Sequence, residues 1–337
     1  MPLELSDIDF QIPEFVVHHF YVTGSLAVLV NCFVFYLIIF RNERMDSFRF
    51  YMLSFQFACS LVDMHLSFAM QPIPLFPIRA GHCAGFGSTF LGVSSHSLMV
   101  VLTLLLGFQV NTLTICFLRK HQGISKIDRK HVLSRPVFIL LVILFITYPF
   151  SYTTSFYFSK STKEEQFQII ERDYPIFRSQ FEQMPEFALY EMNPRFLGFL
   201  LLIIGGCLQS IATVTLLVFQ MYTTLINCRR NLSKATLEKH KTALKSLVIQ
   251  FLTTPIVILP AMLILLTVFI PFKGAQVFTW YMLMLMATHS TINSFVVIFT
   301  FPEFREFVIF WNRKNRRHRN GQSISIVHDI SGNNRFN

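Results

Sequence analysis

Charge is what this sequence has least of. Only 14% of its 337 residues are Asp, Glu, Lys or Arg, where an ordinary soluble domain carries roughly a quarter, while 53% are apolar and mean hydropathy is +0.49. That shortage excludes a water-soluble domain of this length. Paired cysteines are also lacking: Cys32, Cys59, Cys83, Cys116, Cys207 and Cys228 are scattered without a CxxC spacing, so neither a metal framework nor a disulfide scaffold is expected. Histidines in HxxxH, HxxHH or HExxH order are missing, and so is a glycine-rich phosphate loop. A membrane enzyme would then have no di-iron or zinc ligand set. The expectation is no enzyme, no cofactor and no metal.

Where charge is missing, apolar runs take its place. Lys and Arg are absent from about 15 to 40, 50 to 70, 84 to 118, 136 to 158, 196 to 226, 246 to 270 and 276 to 301, each long enough to span a bilayer. The chain therefore reads as an all-α integral membrane protein with seven transmembrane helices. The run from Ala84 to Leu118 organises the rest. It holds no charged residue, is closed by Arg119, Lys120 and His121, and as a single helix would reach roughly 52 Å, beyond a hydrocarbon core of about 30 Å. The first run does not read as a cleaved signal peptide, being too long and preceded by Glu4, Asp7, Asp9 and Glu14. Of the 29 Lys and Arg, 22 fall in the first, third and fifth connections and the tail, against 7 on the other side. That bias sets the N-terminus outside and the C-terminus in the cytoplasm. The net charge of +10 then reflects topology and affinity for anionic lipid, with no nucleic-acid partner.

Four regions follow: an outer N-terminus at 1–14, a seven-helix domain at 15–301, an interfacial helix at 302–312 and a basic tail at 313–337. Phe304, Phe307, Val308 and Trp311 recur at i, i+3, i+4 and i+7, the spacing of a short helix on the inner leaflet, and the polybasic Arg313 to Arg319 comes next. Asn193 and Pro194 predict the N-cap and first turn of span five. The 37-residue outer loop from Ser159 to Arg195 is either a lid over a site or partly disordered. Asn231 lies in an Asn-Leu-Ser sequon that this topology turns to the cytosol, where it receives no sugar.

Polar residues inside the spans are the functional candidates. A charge at membrane depth costs on the order of 3 kcal/mol, so Asp63 must face the bundle interior or a water pocket. Counted from the outer ends at ~1.5 Å per residue, Asp63 lies about 12 Å deep, His96 about 18 Å and His289 about 20 Å. Asp63, His65, His96, Thr288 and His289 either form a ligand pocket or satisfy one another as interhelical hydrogen bonds. Pro255 and Pro260 bend span six, as a switching hinge or as a static kink. Arg119, Lys120, Arg229, Arg230 and Lys234 make a basic inner face, for a partner protein or as positive-inside bias alone. A seven-span transporter or channel is the second functional reading, although inverted repeats and a path of intramembrane charges are missing.

Seven spans with an outer N-terminus resemble the G-protein-coupled receptor architecture, and short motifs narrow the likeness. Pro72-Ile73-Pro74-Leu75-Phe76-Pro77 with Gly81 and Gly85, Ser95-His96, Cys116-Phe117-Leu118-Arg119-Lys120-His121-Gln122, the Gln250 to Pro260 segment and Phe301-Pro302-Glu303-Phe304-Arg305 look like the nematode serpentine chemoreceptors. The chain is most similar to serpentine receptor class I, with class H as near neighbour. The resemblance implies a receptor on the plasma membrane of chemosensory neurons, including sensory cilia. It would bind a small external molecule and act on a heterotrimeric G protein. Two departures stand out: Leu118-Arg119-Lys120 replaces the acid-Arg-aromatic triplet of rhodopsin-like receptors, and the outer loop holds no cysteine to pair with Cys83.

Overall fold

A computed structural model describes residues 8–41, 48–128, 130–229, 233–270 and 272–309. The first rod is α1 (Glu14–Phe40). The second is α2 (Phe48–Met64), continued by a π-helical turn over His65–Met70. Then come β1 (Pro72–Pro74), β2 (Ala80–Cys83), a short α3 (Phe86–Thr89), α4 (Ser95–Asp128) and α5 (Arg135–Tyr157). The long connection folds into α6 (Lys163–Asp173), α7 (Arg178–Gln183) and β3 (Ala188–Leu189), ahead of α8 (Pro194–Asn227). Rod six is α9 (Lys234–Thr253) with α10 (Pro255–Phe269), and rod seven is α11 (Ala275–Met286) with α12 (His289–Thr300). A last helix, α13, covers 302–309.

Six of these rods are long and apolar enough to cross a membrane: α1, α4, α5, α8, the α9–α10 pair and the α11–α12 pair. The second has 17 α-helical residues and six π-helical ones, which together reach roughly 35 Å. Seven rods therefore stand in the bundle. α4 runs through its middle, packed against α2, α5 and α8. One buried cluster, with Cys59, Leu113, Phe117, Met221 and Leu247, fills the half that carries the basic connections. Another, with Phe20, Leu66, Met70, Leu98 and Met286, fills the half nearer the sheet.

The uncharged run from Ala84 to Leu118 is not one helix. Gly92 adopts φ +64, a left-handed conformation that costs glycine little, and Ser94 Oγ accepts the Ser97 backbone N–H at 3.2 Å, so α4 begins only at Ser95. At its other end α4 continues through Arg119 and Lys120 to Asp128. A lack of charge permits a span but does not locate its ends.

The long connection is a folded lid. Thr162 and Glu165 form a capping box at the start of α6, with Glu165 N–H donating to Thr162 Oγ1 at 3.2 Å and Thr162 N–H to Glu165 Oε2 at 2.8 Å. Ile170, Phe177, Phe181 and Phe187 bury themselves against Leu75, Ile78 and Ala80 of the β1–β2 hairpin. β3 then pairs antiparallel with β2, Gly81 opposite Ala188, giving the sheet order β1-β2-β3. This small sheet departs from the all-helical expectation. Pro72 and Pro74 lie on its edge strand β1, where a missing N–H is tolerated.

As the sequence predicts, Asn193 Oδ1 caps α8 by accepting Phe196 N–H at 2.8 Å, with Pro194 in the first turn. In α13 the fully buried Phe304 packs among Val34, Leu37 and Ile38 of α1, so this helix presents its aromatic face to the bundle. Trp311, the polybasic stretch, Arg230 and the Asn231 sequon lie outside the described residues.

Candidate functional site

Beneath the sheet lies a cavity of about 210 Å³. β1, β2 and Tyr190 roof it; its walls are Met99, Leu102 and Leu106 from α4, Phe196, Phe199 and Ile203 from α8, Leu265 and Val268 from α10, and Leu283 and Met286 from α11. Phe156 of α5 stacks on Phe199 with centroids 4.5 Å apart, which fixes that wall. Below it, Thr103, Leu106, Ile203, Ala261 and Met262 also line a smaller chamber of about 80 Å³ that runs on toward Asn111 and Ser210.

None of the five sequence-predicted ligand residues lies on the cavity wall. The structure does not bring them together. His96 Nε2–H donates to the Tyr157 carbonyl at 3.2 Å, which leaves Nδ1 to accept from Tyr190 Oη at 3.0 Å. His96 thus ties α4 to the lid. His65 Nε2–H donates to the Leu98 carbonyl at 2.9 Å, and Thr288 Oγ1 donates to the Leu285 carbonyl at 2.7 Å within its own rod.

Asp63 and His289 are both buried, in a polar core nearer the middle of the bundle. Asn31 is its hub. Its Nδ2 donates to Ser290 Oγ at 2.8 Å, and its Oδ1 accepts from Gln56 Nε2 and Ser294 Oγ, both at 2.6 Å. Asn293 Nδ2 donates to Gln56 Oε1 at 3.2 Å, and Gln109 Nε2 donates to His289 Nδ1 at 2.9 Å. In lipid such groups find one another because hydrocarbon offers no alternative partner. Asn31, Gln56, Ser290 and Ser294 spend their hydrogen bonds within this core, whereas Asp63 Oδ2, Gln109 Oε1, His289 Nε2 and Asn293 Oδ1 are buried there without one, and the cavity is left to carbon. Periodicity places Asn31 and Gln56 inside their spans, but the sequence holds no sign that they converge on Ser290 and Ser294.

Two rods are broken. At Thr254–Pro255 the α9 axis ends, Thr254 N–H turns to the Phe251 carbonyl at 3.1 Å, and the Gln250 carbonyl accepts the hydroxyls of Thr253 at 2.7 Å and Thr254 at 3.3 Å. Pro260, in contrast, lies inside a continuous α10. The second break, at Ala287–Thr288, contains no proline and was not expected.

The basic end carries Arg229 and Lys234 exposed, while Arg119 and Lys120 are half-buried over the rings of Tyr51 and Phe48 at 5.8 and 5.3 Å. All six cysteines are free, and burial pushes the Cys83 thiol up to about 12.

The crystal structure of squid rhodopsin is similar to this fold, with a TM-score of 0.58 at 12% identity over 88% of this chain and 85% of that one. No curated protein matches the chain. The family described as serpentine type 7TM GPCR chemoreceptor Sri matches residues 6–308. A seven-rod bundle and a family match over nine-tenths of the sequence agree: this multi-pass membrane chain belongs to the serpentine type 7TM GPCR chemoreceptor Sri family.

Proposed function

We propose that the chain is a chemosensory receptor that takes an external small molecule into the cavity beneath the sheet and signals to a heterotrimeric G protein at the opposite end. The observation that carries this reading is the sixth rod. Its α10 half lines the cavity through Ala261, Met262, Ile264, Leu265 and Val268, and its α9 half begins at Lys234 beside the basic connection. Between them lies the Thr254–Pro255 break, which can change angle without disturbing either half. A ligand that favours one angle shifts the population of the rod and so moves the basic end.

In this reading the sheet and lid face outward, consistent with the 22 to 7 distribution of Lys and Arg. His96 holds the lid, Asp63 and His289 belong to the core that the seventh rod turns on, and Arg119, Lys120, Arg229, Arg230 and Lys234 meet the G protein. The resemblance to nematode class I receptors supports a place on the plasma membrane of sensory cilia. The test is calcium imaging of cells expressing the chain against an odorant panel, with and without a co-expressed G protein. A response that requires the G protein supports the reading. A ligand-evoked current that persists without it would make the chain a channel.

A further inference from the structure

From the cavity wall we infer the chemical class of the ligand: an uncharged, hydrocarbon-like molecule of about 8 to 12 heavy atoms, held by contact alone without a hydrogen bond. This rests on the receptor reading only for its biological purpose; the binding it describes requires no G protein.

Polar residues do reach this part of the protein, Arg79 of the hairpin among them, yet their polar atoms contribute almost nothing to the cavity surface. Thr103 Oγ1 donates back to the Val100 carbonyl at 2.8 Å, and Tyr190 Oη is taken by His96. Ser95 Oγ and His82 Nδ1 are buried with no hydrogen-bond partner, yet they expose no surface that a molecule in the cavity could meet. The surface left is carbon and sulfur from Met, Leu, Ile, Val and Phe side chains, with almost no polar atom in it. A charged group placed there would lose its hydration with nothing in return, and a hydroxyl or amide would lose hydrogen bonds to water. The wall selects against both.

Size follows from volume. An apolar cavity of about 150 Å³ takes one benzene ring, so by proportion about 210 Å³ takes roughly eight carbons. Adding the chamber of about 80 Å³ that shares five wall residues raises this to about twelve. The two chambers share walls on α4, α8 and α10, so an elongated molecule that reaches both fits better than a sphere; in the lower one Asn111 Nδ2 is already spent on the Phe145 carbonyl at 2.7 Å.

The experiment uses the full chain in phospholipid nanodiscs and a decane that carries an alkyl diazirine. Photolysis should label cavity residues such as Met99, Phe199 and Leu265, read by mass spectrometry. A tenfold excess of decane should suppress that labelling about fivefold or more, while decanoate and decylammonium suppress it less than about twofold. Leu265→Trp fills the cavity and should abolish the labels; Met99→Phe, a milder change, should reduce them if Leu265→Trp does not fold. Labels confined to outward-facing positions such as Leu201 and Leu208, or decanoate competing as well as decane, would overturn the inference. Hydrocarbon labelling without any cellular response would leave this inference standing and remove the receptor reading instead. A response to charged compounds alone would do the reverse.

Discussion

His96 Nδ1 and Tyr190 Oη lie 3.0 Å apart, and this hydrogen bond joins the first turn of α4 to the residue that follows β3. Tyr190 N–H also donates to the Arg79 carbonyl at 2.8 Å, so one residue ties lid, hairpin and bundle together. Tyr190→Phe keeps the ring stacked on Phe196 but removes the hydroxyl. The loss should cost about 1 kcal/mol, which raises the open population of the lid roughly fivefold. Hydrogen exchange across 159–193 would register it as faster exchange confined to the lid, and unchanged rates would mean the lid is held by its apolar cluster alone.

A methyl group at Gly85 would sit 2.5 Å from the carbonyl oxygen of Ala69 and 2.7 Å from Met70 N. Both are backbone atoms, which cannot rotate aside as a side chain can. Gly85→Ala should therefore destabilise by about 1 to 3 kcal/mol, seen as a lower melting temperature in detergent. Gly123 meets no atom within 4 Å, and Gly123→Ala should leave stability the same or slightly higher.

Burial pushes the His82 imidazole down to about 4 from an ordinary 6.5. The unfolded chain then binds a proton over a pH range in which the folded chain does not. Stability is complete above pH 6.5 and falls as pH drops toward 4, by at most about 3 kcal/mol. Melting curves between pH 7 and 4.5 should trace this fall, and His82→Gln should make it shallower by the share His82 contributes. An equal fall in the variant would assign the loss to another group.

Much of this architecture is legible in the sequence because membrane spans obey two strong rules: no charge in lipid, basic residues on one side. The Asn193 cap is equally local and equally readable, and so is a bend in the sixth rod, though not which of Pro255 and Pro260 breaks it. What was hidden depends on distant partners. The hairpin from Pro72 to Cys83 looks like a turn until β3 arrives from 105 residues beyond it to complete the sheet. The Ala287–Thr288 break carries no proline to mark it. Asp63, His96 and His289 read equally as a pocket or as interhelical hydrogen bonds; the structure gives His96 to Tyr157 and Tyr190 and His289 to Gln109, while Leu, Met and Phe line the cavity.

Pro255 and Pro260 look alike in sequence, but only Pro255 stands at a break. Pro255→Ala restores an N–H that can donate to the Phe251 carbonyl and lets α9 and α10 fuse into one helix, gaining up to about 3 kcal/mol of helical continuity. If the break is the switching element, the straight rod should shift the dose response by about tenfold or abolish it, with surface expression intact. Pro260→Ala should change it less than about threefold. Equal effects from the two would count against a hinge at Thr254–Pro255.

Asn31 separates a structural polar core from a dispensable one. Asn31→Leu removes a shared partner of Ser290, Gln56 and Ser294 at once; Gln56 Nε2 keeps its bond to Ser294 Oγ at 2.6 Å, but Ser290 Oγ and the Ser294 hydroxyl proton lose theirs in hydrocarbon. Each orphaned group costs about 1 kcal/mol or more, so the single variant should lose about 2 to 4 kcal/mol. Replacing the set together, Asn31→Leu with Gln56→Leu, Ser290→Ala and Ser294→Ala, should recover part of that loss, because only the Asn293 amide is then left without its Gln56 partner. Measured by thermal unfolding, a quadruple variant less stable than the single one would mean the network stabilises the bundle outright. A more stable one would mean these residues are kept for the movement of the seventh rod, and the receptor should then fold well and signal poorly.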